Sequence, residues 1–398
     1  MKNTKEKASL YFSSVATVII FIPFFLNPSI SSDWDSYAII GTYLNYVENN
    51  LYIPSRPPGF PLYELLIGIC AKLSQVFSFS MEQIILISQL LLTLSLNFLI
   101  YKFFNTINNS NYFIYLIAVL SPIFLISGFT TIDYVLGSLF GFLSIYITMY
   151  TKNKEYLIAL MLALSIATRL SNVIFLIVIL LFLRKDYQKA FKVGFYSTIL
   201  FSSFYLIFYN NLYNFYTSNN IYSSWSEFLC IFNLTNTNHD LYNRIGRFVL
   251  KQIPFLGTIG TTLLVLTIPK LQLNVKNNNF YFLLLFILFQ LSFLRLPTEE
   301  GHLLPAFIAF AIFISQNKNK IFMIIFFFVL SSNFINLKFF EVDSIDSASS
   351  ISFRLDVQKG YLIQDYELRT KIAENKEFHY NNSKRTIYDA WSKGCPNR

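Results

Sequence analysis

The sequence predicts an all-α polytopic membrane protein, and three observations predict it. Of the 398 residues, 54% are hydrophobic and only 13% are charged, which is too apolar for a soluble domain of this length. Apolar runs of membrane length recur along the whole chain. The basic excess, 31 Lys and Arg against 22 Asp and Glu, is scattered through short connections, as membrane topology requires and as a nucleic-acid-binding face does not. No nucleic-acid partner is therefore expected. Cys70, Cys230 and Cys395 are too few and too far apart for a disulfide framework or a zinc site, and the chain lacks a heptad, a glycine-rich phosphate loop and an HExxH string.

A hydrocarbon core of about 30 Å needs roughly 20 apolar residues of helix. The run 11–26 lacks a small-residue cleavage site and further runs follow it, so it reads as a retained first helix. Spans are predicted over residues 10–27, 83–101, 112–128, 132–150, 194–212, 246–269, 279–294, 303–316 and 320–336. Residues 61–79 carry Glu64, Lys72 and Gln75. A charge at the bilayer centre costs about 2.5 to 3.5 kcal/mol, which makes this an amphipathic surface helix. Residues 156–183 are interrupted by Thr168, Arg169, Ser171 and Asn172; split into two short helices, they lift Arg169 to an aqueous face. These choices give about eleven transmembrane helices, with juxtamembrane helices in a first external loop, 28–82. With the N-terminus inside, fourteen basic residues fall in the cytoplasm: Lys2, Lys5, Lys7, Lys102, Lys152, Lys154, Arg184, Lys185, Lys189, Lys192, Lys270, Lys276, Lys318 and Lys320. Residues 1–336 form the membrane domain. Residues 337–398 form an external tail or small module, with EVDSIDSASS as a linker.

Most of the unusual polar residues fall on the outer face of this topology. Asp33 and Asp35 follow the first helix and open a stretch in which Tyr37, Ile40, Leu44 and Val47 recur at near-helical spacing. A carboxylate there is favoured by the helix dipole and can act as a general base at the lipid boundary; capping the helix is the alternative. In SRPPGFP, Pro57, Pro58 and Pro61 prevent helix and leave Arg56 beside a stiff strand of chain, either a substrate-holding loop or a brace. Asp133 lies in a turn of about four residues, TTIDY, where an N-cap is again the alternative. Arg169 and Arg295 stand at the outer boundary, suited to bidentate phosphate binding or to snorkelling. Glu299, Glu300 and His302 share a loop with Arg295, where an Arg–carboxylate ion pair competes with a catalytic arrangement and leaves a divalent metal ion open.

The order SSDWDSYA, SRPPGFPLYELL, SPIFLISGFTTIDYVLGSLF, LALSIATRLSNVIFL and RLPTEEGHLLPA resembles the GT-C superfamily of membrane glycosyltransferases, relatives of the aminoarabinose transferases and protein O-mannosyltransferases. The similarity covers roughly residues 10–336. It implies a GT-C-like bundle that takes a sugar from a polyprenyl-phosphate donor, with Asp33 as base, Tyr37 as the aromatic four residues on, and Asp35 as second choice. It further implies donor or acceptor positioning by Tyr37, Arg56 and Asp133, and donor-phosphate binding by Arg169, Arg295 and His302, with Glu299 and Glu300 nearby. The acceptor class is a glycan, lipid or protein. Trp34 between the two acids, and Gly301 and His302 where relatives often carry Arg and Tyr, depart from the pattern and leave metal use and subfamily open. An Asn-, Ile- and Lys-rich spelling points to an AT-rich genome and does not tell bacterium from eukaryote; a bacterial plasma membrane is the expected location. The rival classes are an O-antigen polymerase or ligase acting on lipid pyrophosphates, and a lipid flippase.

Overall fold

The computed structural model describes residues 2–32, 34–49, 54–55, 60–107, 110–152, 154–207, 245–246, 248–271, 279–295, 300–342, 351–376 and 378–379. About 81% of it is helical, and the chain is all-α apart from one two-stranded sheet among the described residues. Among the described residues the chain runs through α1 (Lys2–Leu26), α2 (Trp34–Asn49), α3 (Pro61–Ser74), α4 (Met81–Thr106), α5 (Tyr112–Leu120), α6 (Pro122–Phe129), α7 (Tyr134–Tyr150), α8 (Glu155–Thr168), α9 (Val173–Phe182), α10 (Tyr187–Leu206), α11 (Gly257–Thr267), α12 (Asn279–Arg295), α13 (Leu304–Ile314), α14 (Ile321–Ser332) and α15 (Tyr361–Ala373). The hairpin β1 (Ile335–Val342) and β2 (Ile351–Lys359) precedes α15.

The expectation of eleven full spans is larger than the helices themselves bear out. Lys7–Leu26 and Met81–Thr106 are long and apolar enough to cross a membrane, and α5 with α6 makes a third if the pair, bent by 44°, counts as one. The other apolar helices run 10–17 residues among those described. The breaks have local causes. Ser121 is extended ahead of Pro122, because proline disfavours helix in the residue before it. In the predicted span 246–269, Pro254 and Gly257, whose φ is +69°, separate α11 from the helical residues 248–250 ahead of it. The predicted span 320–336 stops at Ser332, and the chain turns into the antiparallel hairpin. EVDSIDSASS, read as a linker, therefore includes the connection between two paired strands.

The chain folds as two compact units. The first comprises Met1–Pro23, Leu90–Gly128 and Asn238–Glu367. Within it α12 packs on α13, and α14 packs on α5 and α11. A buried polar knot ties α1, α4 and α5: Ser13 Oγ lies 2.8 Å from Tyr115 Oη, and Asn97 Nδ2 donates to Ser13 Oγ at 3.1 Å. Such hydrogen bonds hold helices together where apolar burial gives no preference between lipid and protein.

The second unit comprises Phe24–Gln89, Phe129–Thr237 and Leu368–Arg398. Here α8 packs between α7 and α10, and α3 packs on α2 and α8. The helix α3 refines the surface-helix reading: its exposed residues include Leu65, Ile69 and Leu73, whereas Glu64 faces inward with Tyr63 and Ile67. The apolar stripe is on the outside and the acid is in the protein. Exposed Phe191, Phe195 and Ile199 form a similar stripe on α10.

Close approach of α7 to α8 fixes the geometry that matters below. Ser165 Oγ donates to the Gly137 carbonyl at 2.7 Å, and Asn172 Nδ2 donates to the Ser165 carbonyl at 3.1 Å. A Cβ on residue 137 would collide with that Asn172 amide. Gly137→Ala is therefore expected to destabilise the protein by about 1–3 kcal/mol through overpacking. Melting of the detergent-solubilised variant checks this, and an unchanged Tm would contradict the packing account.

Candidate functional site

The interrupted run 156–183 folds as α8, a 3-10 turn at Leu170–Asn172, and α9, with Arg169 in extended backbone (φ −158°, ψ 120°) between helix and turn. Extension breaks the helical register and lets the guanidinium reach α7 instead of α8. Arg169 Nη1 donates to Asp133 Oδ1 at 2.7 Å, with both side chains almost fully buried. The Arg169 guanidinium carbon lies 4.4 Å from the centre of the Tyr134 ring, a cation–π arrangement. Arg169 is only 8% exposed, so it does not snorkel. Asp133 occupies the N-cap position of α7, yet its side chain makes no capping bond; its carboxylate serves the arginine instead. A buried pair of this kind offsets desolvation only with good geometry, and its value lies more in placing charge than in stability.

A second carboxylate belongs to the same unit. Glu64, in the first turn of α3 and 3% exposed, accepts the Ser55 backbone N–H at 2.8 Å through Oε1. One residue earlier, the Tyr63 hydroxyl accepts from Gln89 Nε2 at 2.7 Å. Tyr205 lies near the end of α10, which packs on α8 and α3. The unit thus carries Glu64 on α3, the Asp133–Arg169 pair between α7 and α8, and Tyr205 on α10. Glu64 and Tyr205 were not among the site residues expected from sequence; Glu64 drew notice only as a charge in an apolar segment.

The acidic motif is partly visible. Asp33 and Arg56 lie outside the described residues. Asp35 sits in the first turn of α2. Tyr37, 1% exposed, donates to the Ser31 carbonyl at 3.5 Å, and its ring centre lies 5.4 Å from that of His379. Burial pushes its phenol above the ordinary value, opposed by a Ser29 hydrogen bond and the Arg369 charge, so the hydroxyl remains a neutral donor.

The RLPTEEGH loop belongs to the other unit. Glu299 and the Arg295 side chain lie outside the described residues. Glu300 pairs with Lys251, whose Nζ lies 2.6 Å from Oε1, and this lysine was not anticipated as its partner. Next to it, Gln252 and Gln290 exchange amide hydrogen bonds of 3.0 and 3.1 Å. His302 lies against Phe293 with ring centres 6.4 Å apart. Among the described residues, no three His, Cys, Asp or Glu side chains gather as metal ligands; Asp133 pairs with Arg169 and Glu64 accepts a backbone N–H. Of the residues expected to converge, Asp133 and Arg169 meet, while Asp33 and the Arg295 side chain are not described. Comparison of the chain with protein-family models, curated proteins and solved structures gave no match.

Proposed function

We propose that this chain is a multi-pass membrane glycosyltransferase of the GT-C kind, which transfers a sugar from a polyprenyl-phosphate donor to a glycan, lipid or protein acceptor on the outer face of a bacterial plasma membrane. The observation that carries the reading is the buried Asp133–Arg169 pair at the break between two apolar helices. A cation held at such a point can meet a phosphate whose lipid tail stays in the bilayer. Asp133 orients the guanidinium and balances its charge in the absence of donor. Asp33 takes the acceptor hydroxyl proton, the acceptor oxygen bonds to the anomeric carbon, and the bond from that carbon to the phosphate oxygen breaks with inversion. The departing lipid phosphate carries the electron pair and is stabilised by Arg169; a phosphate leaves without a dedicated general acid.

A broken helix with a polar centre is also what a lipid carrier uses, and the Arg169 break and the bend at Ser121 keep a flippase as the second reading. Purified protein in vesicles, supplied with radiolabelled polyprenyl-phosphate sugars and acceptors, separates the readings. Transfer predicts release of free polyprenyl phosphate. Translocation of intact donor without bond cleavage would favour the carrier. An O-antigen polymerase or ligase instead predicts use of pyrophosphate-linked donors, with loss of activity on Arg→Ala changes but not on Asp33→Asn.

A further inference from the structure

Arg369 is the largest fully buried side chain among the described residues, at 0% exposure, and it lies on α15 in the C-terminal segment that the resemblance does not cover. Its Nη1 donates to the Phe129 carbonyl at 2.8 Å and to the Ile30 carbonyl at 3.4 Å; its Nη2 donates to Thr130 Oγ1 at 2.6 Å. The guanidinium carbon lies 5.1 Å from the Phe24 ring centre. The Ile30 carbonyl also accepts the Thr131 N–H at 3.0 Å and Thr131 Oγ1 at 3.1 Å, and Ser29 Oγ donates back to the Arg369 carbonyl at 3.0 Å. Two connections are therefore fastened around one guanidinium. One is the stretch 29–32 that leads into Asp33; the other is the stretch 129–132 that leads into Asp133. In each, an atom held by Arg369 belongs to the residue three places before the acid. The chain beyond Arg369 stays on the same unit, with Lys376 Nζ 3.0 Å from Glu82 Oε1 and His379 against Tyr37.

A surface helix does not bury an arginine in this way for solubility. Planar, multi-donor geometry that satisfies two main-chain carbonyls and a hydroxyl at once is what a guanidinium offers and a lysine does not. We propose that Arg369 is a positioning residue for sugar transfer: through the Ile30 and Phe129 carbonyls and the Thr130 hydroxyl it holds the stretch of chain that leads into Asp33 and the stretch that leads into Asp133, making the C-terminal segment a working part of the enzyme. The proposal rests on the glycosyltransferase reading above. A misplacement of about 1 Å in a reacting group can lower a rate by about a hundredfold, so the effect belongs in kcat.

The test uses the full chain in vesicles, with Arg369→Lys and Arg369→Met, the latter keeping volume without donors. Both are expected to lower kcat for polyprenyl-phosphate release by about 10- to 100-fold while the donor KM stays within about twofold. Backbone hydrogen exchange in peptides covering 27–32 and 129–133 should accelerate, with α8 and α9 unchanged. A role in folding alone would reduce the amount of active protein and leave the kcat per folded molecule intact. Should Arg369→Met fail to insert, Thr130→Val removes one of the three acceptors and is expected to show the same pattern at about 3- to 10-fold. Wild-type turnover in these variants, or lost turnover with both stretches as protected as in the wild type, would overturn the proposal. If the wild-type protein releases no polyprenyl phosphate from any donor, the functional reading fails instead, and the exchange measurement still decides whether Arg369 fastens the two stretches.

Discussion

Arg169→Met is expected to abolish sugar transfer and to destabilise the protein at the same time. Removing the arginine leaves the Asp133 carboxylate buried without its 2.7 Å partner, and breaking a buried pair from one side costs about 3–5 kcal/mol. Loss of a group that stabilises the leaving phosphate lowers kcat by about 10²- to 10³-fold. These two effects can be separated. Replacing both members, as Arg169→Met with Asp133→Leu, removes the orphaned charge as well, and such apolar replacements are often neutral or better for stability. The double variant is expected to regain most of the lost stability and none of the lost transfer. Arg169→Lys keeps the charge and loses the fork, so it should fold and transfer slowly. Melting and polyprenyl-phosphate release, measured on the same preparations, check both parts; a double variant that recovers transfer would show that the pair is only structural.

The second large effect is expected at Asp33→Asn, with kcat reduced by about 10²- to 10⁴-fold, the range for loss of a positioned general base. The substitution is nearly isosteric, so insertion and donor binding should persist. Asp35→Asn serves as the internal comparison and should retain more activity. A properly inserted Asp33→Asn protein that transfers sugar at the wild-type rate would remove Asp33 from the mechanism, and loss at Asp35 alone would move the base two residues on.

Local chemistry decided which features were legible in the chain. The interruption at Arg169 was readable because Thr168, Ser171 and Asn172 stand in an otherwise apolar run, and the structure breaks the helix there. That Asp133 would be the partner was not readable, because the two residues lie 36 apart in sequence and the N-cap reading satisfied Asp133 locally. Glu64 was noticed as a cost of insertion; its orientation into the protein depends on which face of α3 meets α2 and α8, which periodicity alone does not choose. The hairpin carried a visible signal in Ile351, Phe353, Leu355 and Val357, an alternation of period two, overshadowed by the polar stretch before it. Arg369 gave no signal at all. DYELRTK resembles a solvated helix face, and its acceptors are main-chain carbonyls and a hydroxyl more than two hundred residues away. Membrane crossing shows the same limit: apolar composition was plain, whereas the lengths of the spans depend on breaks at Ser121, Arg169 and Gly257.

Photo-crosslinking with a polyprenyl phosphate carrying a diazirine beside its phosphate tests the placement of the donor most directly. Label is expected on peptides containing 129–137 and 165–172, competed away by unlabelled donor and much reduced in Arg169→Met. Competable label confined to peptides that contain neither Asp133 nor Arg169, and unchanged in that variant, would contradict that placement.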